Sequence, residues 1–220
     1  MTSMRGGLSR KILVPTLAII ALGLVAVLIM EHVNARAIVR QELIKRLDRE
    51  VTLSTKLIDG WLQGRIIDIK AWSNQQVLIE TLTEGGYYGR SAREGAETLL
   101  SSLKEGYPQY ESLFLANRQG EIVALSPQSS DAAQVHLADR SYFQQTLQGQ
   151  AVISDVIVSR FSQHKTFAVT APVRVQGQTV GVLGGVIDFA AFKALFLDDF
   201  RVKQYGYAFL VDKHRQVLAS

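Results

Sequence analysis

The sequence predicts an α+β fold, in which an apolar N-terminal helix continues into a long helix and is followed by a five-stranded antiparallel sheet. Three observations support this prediction. Residues 12–30 are apolar and uncharged, and residues 31–83 contain no proline and repeat apolar side chains at helical intervals. From Tyr110 onwards the apolar residues follow the two-residue period of strands. Helices followed by a run of strands are typical of the α+β class.

The composition limits the function classes open to the chain. Of its 220 residues 47% are hydrophobic and 20% are charged, which is enough for a packed core. The net charge of +4 is mild and the basic residues are scattered among acids, so we expect no nucleic-acid partner. There is no cysteine, phosphate loop, G-x-S-x-G or H-E-x-x-H motif, and the four histidines lack ligand spacing. We therefore expect no catalytic residues, no metal and no cofactor.

Residues 12–30, "ILVPTLAIIALGLVAVLIM", are predicted to form a transmembrane helix after a short tail of residues 1–11. A stretch of this length crosses the roughly 30 Å hydrocarbon layer of a bilayer as a helix. A cleaved signal peptide is the alternative, and the small residues of "NARA" would suit its cleavage site, but its apolar region spans only about 7–15 residues. Basic residues flank both ends and leave the orientation undecided.

Residues 31–83 are predicted to form a stalk helix that also pairs two chains. At 1.5 Å per residue it would be up to roughly 75 Å long. Its apolar residues fit a loose heptad seam of the kind found in parallel coiled coils. The seam residues are Ile44, Leu47, Val51, Ile58 and Trp61. The alternative is a helix that packs only on its own domain.

Residues 84–200 are predicted to form a sheet module with helices on one side. After a helix that ends near "GYP", the stretch "ESLFLANRQGEIVALS" predicts a hairpin. A short crossover helix covers residues 140–147, with Asp139 as its N-cap and Gly149 as its stop. Three strands follow, "AVISDVIVSR", "KTFAVTAPVRV" and "TVGVLGGVIDF", and then a helix in "AAFKALFLDDF".

Residues 201–220 are predicted to begin a second module. Within them, "GYAFLVDKHRQVLAS" repeats the strand, polar turn and strand of the first hairpin. An isolated hairpin is only marginally stable in water. We therefore expect this segment to be the start of a longer sheet module.

Four segments of the chain resemble the double Cache (PAS-like) extracytoplasmic sensor domain of bacterial transmembrane receptors. They are "DRSYFQQTLQGQ", "ISD…SR", "APV" and "GVLGGVID". The resemblance implies a cytoplasmic N-terminus, an anchor in the inner membrane and a periplasmic domain of two stacked PAS-like modules. Residues 84–200 would be the membrane-distal module, and residues 201–220 would begin the proximal one. It also implies a cytoplasmic output, such as chemoreceptor helices, a histidine kinase or a diguanylate cyclase.

The resemblance further implies a small-molecule site between the distal sheet and its crossover helix. Arg140, Tyr142 and Phe143 lie on the matching segment. A guanidinium can hold a carboxylate through two parallel hydrogen bonds, and aromatic rings can wall the site. Asp188 lies near the position where amino-acid-binding members keep an acid for the ammonium group.

The match to the amino-acid-binding members is incomplete. Those proteins carry tyrosine at the position of Val135 and tryptophan at that of Tyr142, and an aromatic residue and an acid near Ile157 and Ser159. Their pocket acid can also be aligned with Val186 in place of Asp188. A carboxylate is therefore the expected ligand, with an amino acid as the second choice.

Two alternatives to the ligand-binding interpretation stay open. Arg140 could instead form a salt bridge to Asp139, Asp155 or Asp188 that holds the helix against the sheet. The whole chain could be a membrane-anchored dimeric adaptor or scaffold, or a sensor of a partner protein, with no small ligand. A sensor requires a polar-lined pocket beside Arg140, whereas an adaptor would have a filled core there.

Overall fold

The computed structural model describes four segments of the chain, residues 6–128, 135–196, 210–211 and 217–219. Contacts between residues divide the chain into two units, residues 1–56 and residues 57–220. Among the described residues, no helix is both long enough and apolar enough to cross a membrane. The transmembrane helix predicted at residues 12–30 is therefore not confirmed and stays a prediction.

The long helix α1 spans Gly6–Trp72, and its predicted seam is only partly exposed. The seam residues exposed in the first unit are Ile44, Leu47 and Val51. In the second unit, Ile58 and Trp61 pack against the core of their own domain. The seam available to a second chain is thus shorter than the sequence predicts, and pairing of two chains stays a prediction.

The stalk helix predicted from the sequence is not continuous. It ends at Trp72, and a separate helix α2 (Gln76–Thr83) follows. The side chains of Ser73 and Asn74 both donate hydrogen bonds of 2.9 Å to the carbonyl of Lys70. Short polar side chains that bond the backbone in this way compete with helix propagation, which accounts for the break.

Apart from a hairpin near the C-terminus, the remaining described elements of the second unit are one antiparallel sheet and three further helices. They are α3 (Gly86–Gly106), β1 (Tyr110–Asn117), β2 (Ile122–Ser126), α4 (Ser141–Leu147), β3 (Val152–Ile153), β4 (Ile157–Val158), β5 (Lys165–Val175), β6 (Gln178–Asp188) and α5 (Phe189–Phe196). The strand order is β2-β1-β6-β5-β3, and β4 also pairs with β5. The α+β class and the predicted order of hairpin, crossover helix and meander are confirmed.

The third predicted strand is divided into β3 and β4. Ser154 stands just after β3, and its Oγ accepts a 2.8 Å hydrogen bond from the Ala168 amide. The Ser154 amide donates in turn to the Ala168 carbonyl, also at 2.8 Å. A side chain thus replaces one backbone group at this point of the sheet, and regular pairing resumes with Ile157 opposite Thr166.

The sheet is packed on both faces, so the prediction of helices on one side is wrong. One core contains Leu113 and Leu183 together with residues of α1, α2, α3 and α5. The opposite core contains Phe114 and Val182 together with Tyr142 of α4. Successive strand residues point to opposite faces, which explains how neighbours in β1 and β6 enter different cores. Helix α4 therefore lies alone on its face among the described helices.

The predicted second hairpin is present in the residues that the structure describes. Strand β7 (Leu210–Val211) pairs antiparallel with β8 (Val217–Ala219). Residues 197–209 and 212–216, which include the end of the predicted last helix, lie outside the described residues. The division into a distal and a proximal module stays a prediction.

Candidate functional site

A small cavity, part of it open to solvent, lies between the sheet and the segment around α4, and the space in it that a water-sized group can occupy is about 20 Å³. Ligand pockets typically measure about 300–1,000 Å³, so a small organic molecule would fit here only after the walls move apart. The sheet contributes Phe114, Thr166 and Val186. The other walls come from the approach to α4 and from β4 with its following loop, through Leu137, Arg140, Tyr142, Ile157, Ser159, Arg160 and Phe161.

Arg140 stands at the start of α4 with its backbone extended, as the N-cap residue. Its backbone carbonyl accepts from the Gln144 amide at 3.1 Å and so begins the helix, while its side chain is left for other contacts. One terminal nitrogen, Nη2, donates to the Val158 carbonyl at 3.1 Å. The Nε atom is buried and has no hydrogen-bond partner among the described residues.

Asp139 is not the N-cap of α4, and that prediction is wrong. Its carboxylate is held by Arg160 through two parallel hydrogen bonds, Nη1 to Oδ1 at 3.0 Å and Nη2 to Oδ2 at 2.6 Å. Arg160 also donates to the His136 carbonyl. These hydrogen bonds lower the pKa of Asp139 and raise that of Arg160, so both groups are charged at neutral pH.

The salt bridges considered for Arg140 are absent at two of the three carboxylates. Among the ion pairs of the described residues, Asp139 pairs with Arg160, and Asp188 lies 3.4 Å from Nδ1 of His164. Neither carboxylate pairs with Arg140. The guanidinium of Arg140 donates instead to a backbone carbonyl, that of Val158.

Tyr142 and Phe143 occupy different positions relative to the cavity. Tyr142 is buried and forms part of the wall. Burial raises its pKa to about 12, so the phenol stays neutral and can donate or accept a hydrogen bond. Phe143 is fully buried, and it anchors α4 to the core on the same face of the sheet. It does not line the cavity.

Asp188 is used by the chain itself. Its Oδ1 accepts hydrogen bonds from the amides of Ala190 and Ala191, at 2.6 and 3.1 Å. These contacts cap the N-terminus of α5, where a carboxylate is stabilised by the free amides and the helix dipole. Asp188 is not among the residues that line the cavity. The structure therefore does not bring it together with Arg140.

Among the polar wall residues, Arg160 and Thr166 are not predicted from the sequence, and Ser159 is considered only as the position of the acid in amino-acid-binding members. The apolar wall residues that are not predicted are Phe114, Leu137 and Phe161. Thr166 is fully buried, and its Oγ1 has no hydrogen-bond partner among the described residues. Ser159 is engaged locally, since its Oγ accepts from the amides of Phe161 and Ser162. A usable signal was the opposite charge of Asp139 and Arg160 on two segments that both lead into the predicted site.

A family model described as Cache domain matches residues 35–220 of the chain. The chain belongs to the Cache domain family. A curated relative, the methyl-accepting chemotaxis protein PscA of Pseudomonas syringae pv. tomato, is 21% identical over 216 residues, which is 96% of this chain and 32% of that protein. The chain thus spans about a third of the length of this relative.

Solved structures with the same fold are sensor domains. The V. cholerae histidine kinase DctB sensor domain has a TM-score of 0.62 at 18% identity, over 72% of this chain and 60% of that one. The ligand-binding domain of the Pseudomonas fluorescens chemoreceptor CtaA in complex with L-serine has a TM-score of 0.64 at 18% identity, over 82% of this chain and 73% of that one. The ligand-binding domain of the Pseudomonas aeruginosa PAO1 amino acid chemoreceptor PctC in complex with GABA has a TM-score of 0.56 at 19% identity, over 77% of this chain and 72% of that one.

These relatives are receptors and ligand-binding domains, and the Cache domain of this chain is similar to their sensor domains and not to catalytic domains. The Cache family predicted from the four segments is confirmed. Among the described residues, no group of histidine, aspartate and glutamate side chains is arranged to hold a metal ion.

Proposed function

We propose that the chain is the extracytoplasmic input of a bacterial transmembrane signalling receptor and binds a small carboxylate in the cavity beside α4. Arg140 holds the carboxylate, Tyr142 forms part of the wall of the site, and Phe143 anchors α4 to the core. The observation that carries the proposal is the buried Nε of Arg140, which has no partner among the described residues. A buried donor without a partner costs about 1–3 kcal/mol, and a carboxylate oxygen would satisfy it.

The charges around the cavity support a carboxylate over an amino acid. Its described lining contains two guanidinium groups, Arg140 and Arg160, and no carboxylate. The ammonium group of an amino acid would find no unpaired carboxylate there, because Asp188 caps α5 and Asp139 is paired with Arg160. L-serine and GABA, bound by the related domains CtaA and PctC, both carry a carboxylate, which is the part of those ligands that this cavity suits.

The same proposal includes the membrane and a second chain. Residues 1–11 are cytoplasmic, residues 12–30 cross the inner membrane, and the domain lies in the periplasm. Two chains pair in parallel through the exposed side chains of α1, which passes the signal to a cytoplasmic output. The exposure of Ile44, Leu47 and Val51 supports this pairing, since an apolar seam of a stalk helix is normally covered by a partner helix.

The cavity also weighs against the alternative of an adaptor or scaffold. An adaptor has no need of polar groups left without a partner beside Arg140, since a buried unpaired polar group destabilises the fold. Here two polar atoms without a hydrogen-bond partner among the described residues, Nε of Arg140 and Oγ1 of Thr166, belong to residues on different walls of the cavity. Such an arrangement suits a polar ligand.

The test is a thermal-shift and calorimetric screen of the 220-residue chain in detergent against monocarboxylates, dicarboxylates and amino acids. Arg140→Ala should weaken the binding of a stabilising acid about ten- to a hundredfold, because a hydrogen bond to a charged group contributes about 1.5–3 kcal/mol. Arg118→Ala is the matched control, since it removes an exposed arginine from the turn between β1 and β2. It should leave binding unchanged.

One combination of results would contradict the proposal. If no acid or amino acid stabilises the wild-type chain, and Arg140→Ala lowers the melting temperature of the ligand-free protein, then Arg140 has a structural role. The sensor proposal would then give way to the adaptor or to the sensor of a partner protein.

A further inference from the structure

We infer that Asp139 determines the specificity of the cavity by occupying Arg160, so that the site selects ligands with one carboxylate over ligands with two. This inference rests on the proposed function and adds a preference within its ligand class. The cavity has two guanidinium groups in its wall. The chain itself supplies the partner of one of them, and a ligand must supply the partner of the other.

The contact between Asp139 and Arg160 is the one that a ligand carboxylate would make. Both terminal nitrogens of Arg160 bond to the two oxygens of the carboxylate, at 3.0 and 2.6 Å. This parallel geometry is the strongest arrangement available to arginine and a carboxylate. Asp139 does not itself line the cavity and its side chain is largely exposed, but its carboxylate takes the place at Arg160 that a second ligand carboxylate would need.

Asp139 holds this place with an advantage over a free ligand. It is joined to Arg140 by a peptide bond, so its carboxylate is always present beside the cavity and does not lose translational freedom on pairing. Its pKa is lowered by Arg160, and it therefore stays ionised at neutral pH. A dicarboxylate would have to displace it and would leave one carboxylate without a guanidinium. A monocarboxylate needs only Arg140.

Arg160 should stay at the cavity when the charge of Asp139 is removed. Its Nη1 also donates to the carbonyl of His136, a backbone contact that does not depend on the aspartate. The neighbouring Ser159 is fixed by hydrogen bonds from the amides of Phe161 and Ser162 to its Oγ. The substitution Asp139→Asn keeps the size of the side chain and leaves Arg160 without a carboxylate. Arg160 is then available to a second ligand carboxylate.

The experiment compares acids of equal carbon number. Isothermal titration of the 220-residue chain is done with butyrate and succinate, and with propionate and malonate, at constant ionic strength and neutral pH. In the wild type the monocarboxylate of each pair should bind more tightly. In Asp139→Asn the dicarboxylates should gain about tenfold or more in affinity, while the monocarboxylates change little. The double variant Asp139→Asn, Arg160→Gln should lose the gain.

The ratio of the two affinities distinguishes this role from a structural one, because a general loosening of the site would weaken both acids. Asp139→Ala serves as a second variant if the asparagine variant folds poorly. Monocarboxylate binding in the wild type without a dicarboxylate gain in either variant would overturn this inference and leave the proposed function standing. Binding of no acid by the wild type or the variants would overturn both.

Discussion

Replacing Thr166 by valine tests whether the cavity keeps polar groups unsatisfied for a ligand. Thr166 lies on β5, is fully buried, and has an Oγ1 with no hydrogen-bond partner among the described residues. Valine has nearly the same shape and replaces the hydroxyl by a methyl group. A buried hydroxyl without a partner costs about 1–3 kcal/mol, so its removal should stabilise the ligand-free protein.

We expect the free energy of unfolding to rise by about 1 kcal/mol, the lower end of that range. A change of this size moves the melting temperature by about 2–4 °C in a protein of 150–250 residues. The matched control is Thr146→Val. Thr146 is equally buried, but its Oγ1 donates to the Tyr142 carbonyl at 2.8 Å and lies 2.6 Å from Oγ1 of Thr170. The same substitution there should lower stability by about 1 kcal/mol.

The assay is urea unfolding of both variants and the wild type in a buffer free of carboxylates, followed by titration with an acid that the wild type binds. Thr166→Val should be more stable and should bind that acid more weakly, because the hydroxyl no longer contacts it. A loss of stability equal to that of Thr146→Val would refute the reasoning. It would mean that the Thr166 hydroxyl is already satisfied in the ligand-free protein.

Two further predictions concern the acid stability and the assembly of the chain. Hydrogen bonds from Arg160 hold the pKa of Asp139 below 3.8, so the pair stabilises the fold above that pH, and its contribution is lost as the pH falls through the lower folded-state pKa. Melting curves recorded from about pH 6 to about pH 2 should show less acid sensitivity for Asp139→Asn, and identical curves would contradict this assignment. Cysteine at Leu47 or Val51 should give disulfide-linked pairs in membranes under mild oxidation, whereas cysteine at Lys45 should not; pairs at Lys45 alone would indicate a different contact.

The part of the site that the sequence predicts is the part that lies on one continuous segment. Arg140 and Tyr142 are two residues apart at the start of α4, and both line the cavity. Arg160 and Thr166 come from the loop after β4 and from β5. They reach the cavity only because β4 pairs with β5 in a register that places Ile157 opposite Thr166. No local pattern states that pairing. The sequence therefore gives no indication of Thr166, and it indicates Arg160 only through the opposite charge of Asp139.

Asp188 shows how a local rule can decide against a functional assignment. Its strand position, two residues after Val186, is consistent with a side chain on the face of the cavity. However, the next residue begins α5, and aspartate before a helix is a strong N-cap signal. The capping hydrogen bonds account for the residue without any ligand. The same rule predicts Asp139 as the N-cap of α4, but its carboxylate is bound by a stronger partner, Arg160.

The cavity and α1 contact opposite faces of the same two strands. Phe114 of β1 lines the cavity, while the ring of Tyr110, also of β1, lies 5.8 Å from that of Trp72 at the end of α1. On β6, a side chain at Gly184 would collide with the ring of Phe114, and one at Gly185 would collide with that of Tyr110. Both rings therefore lie directly against the backbone of β6. We expect a ligand that displaces Phe114 to move this backbone, and with it the contact between Tyr110 and α1, because close-packed interiors transmit strain.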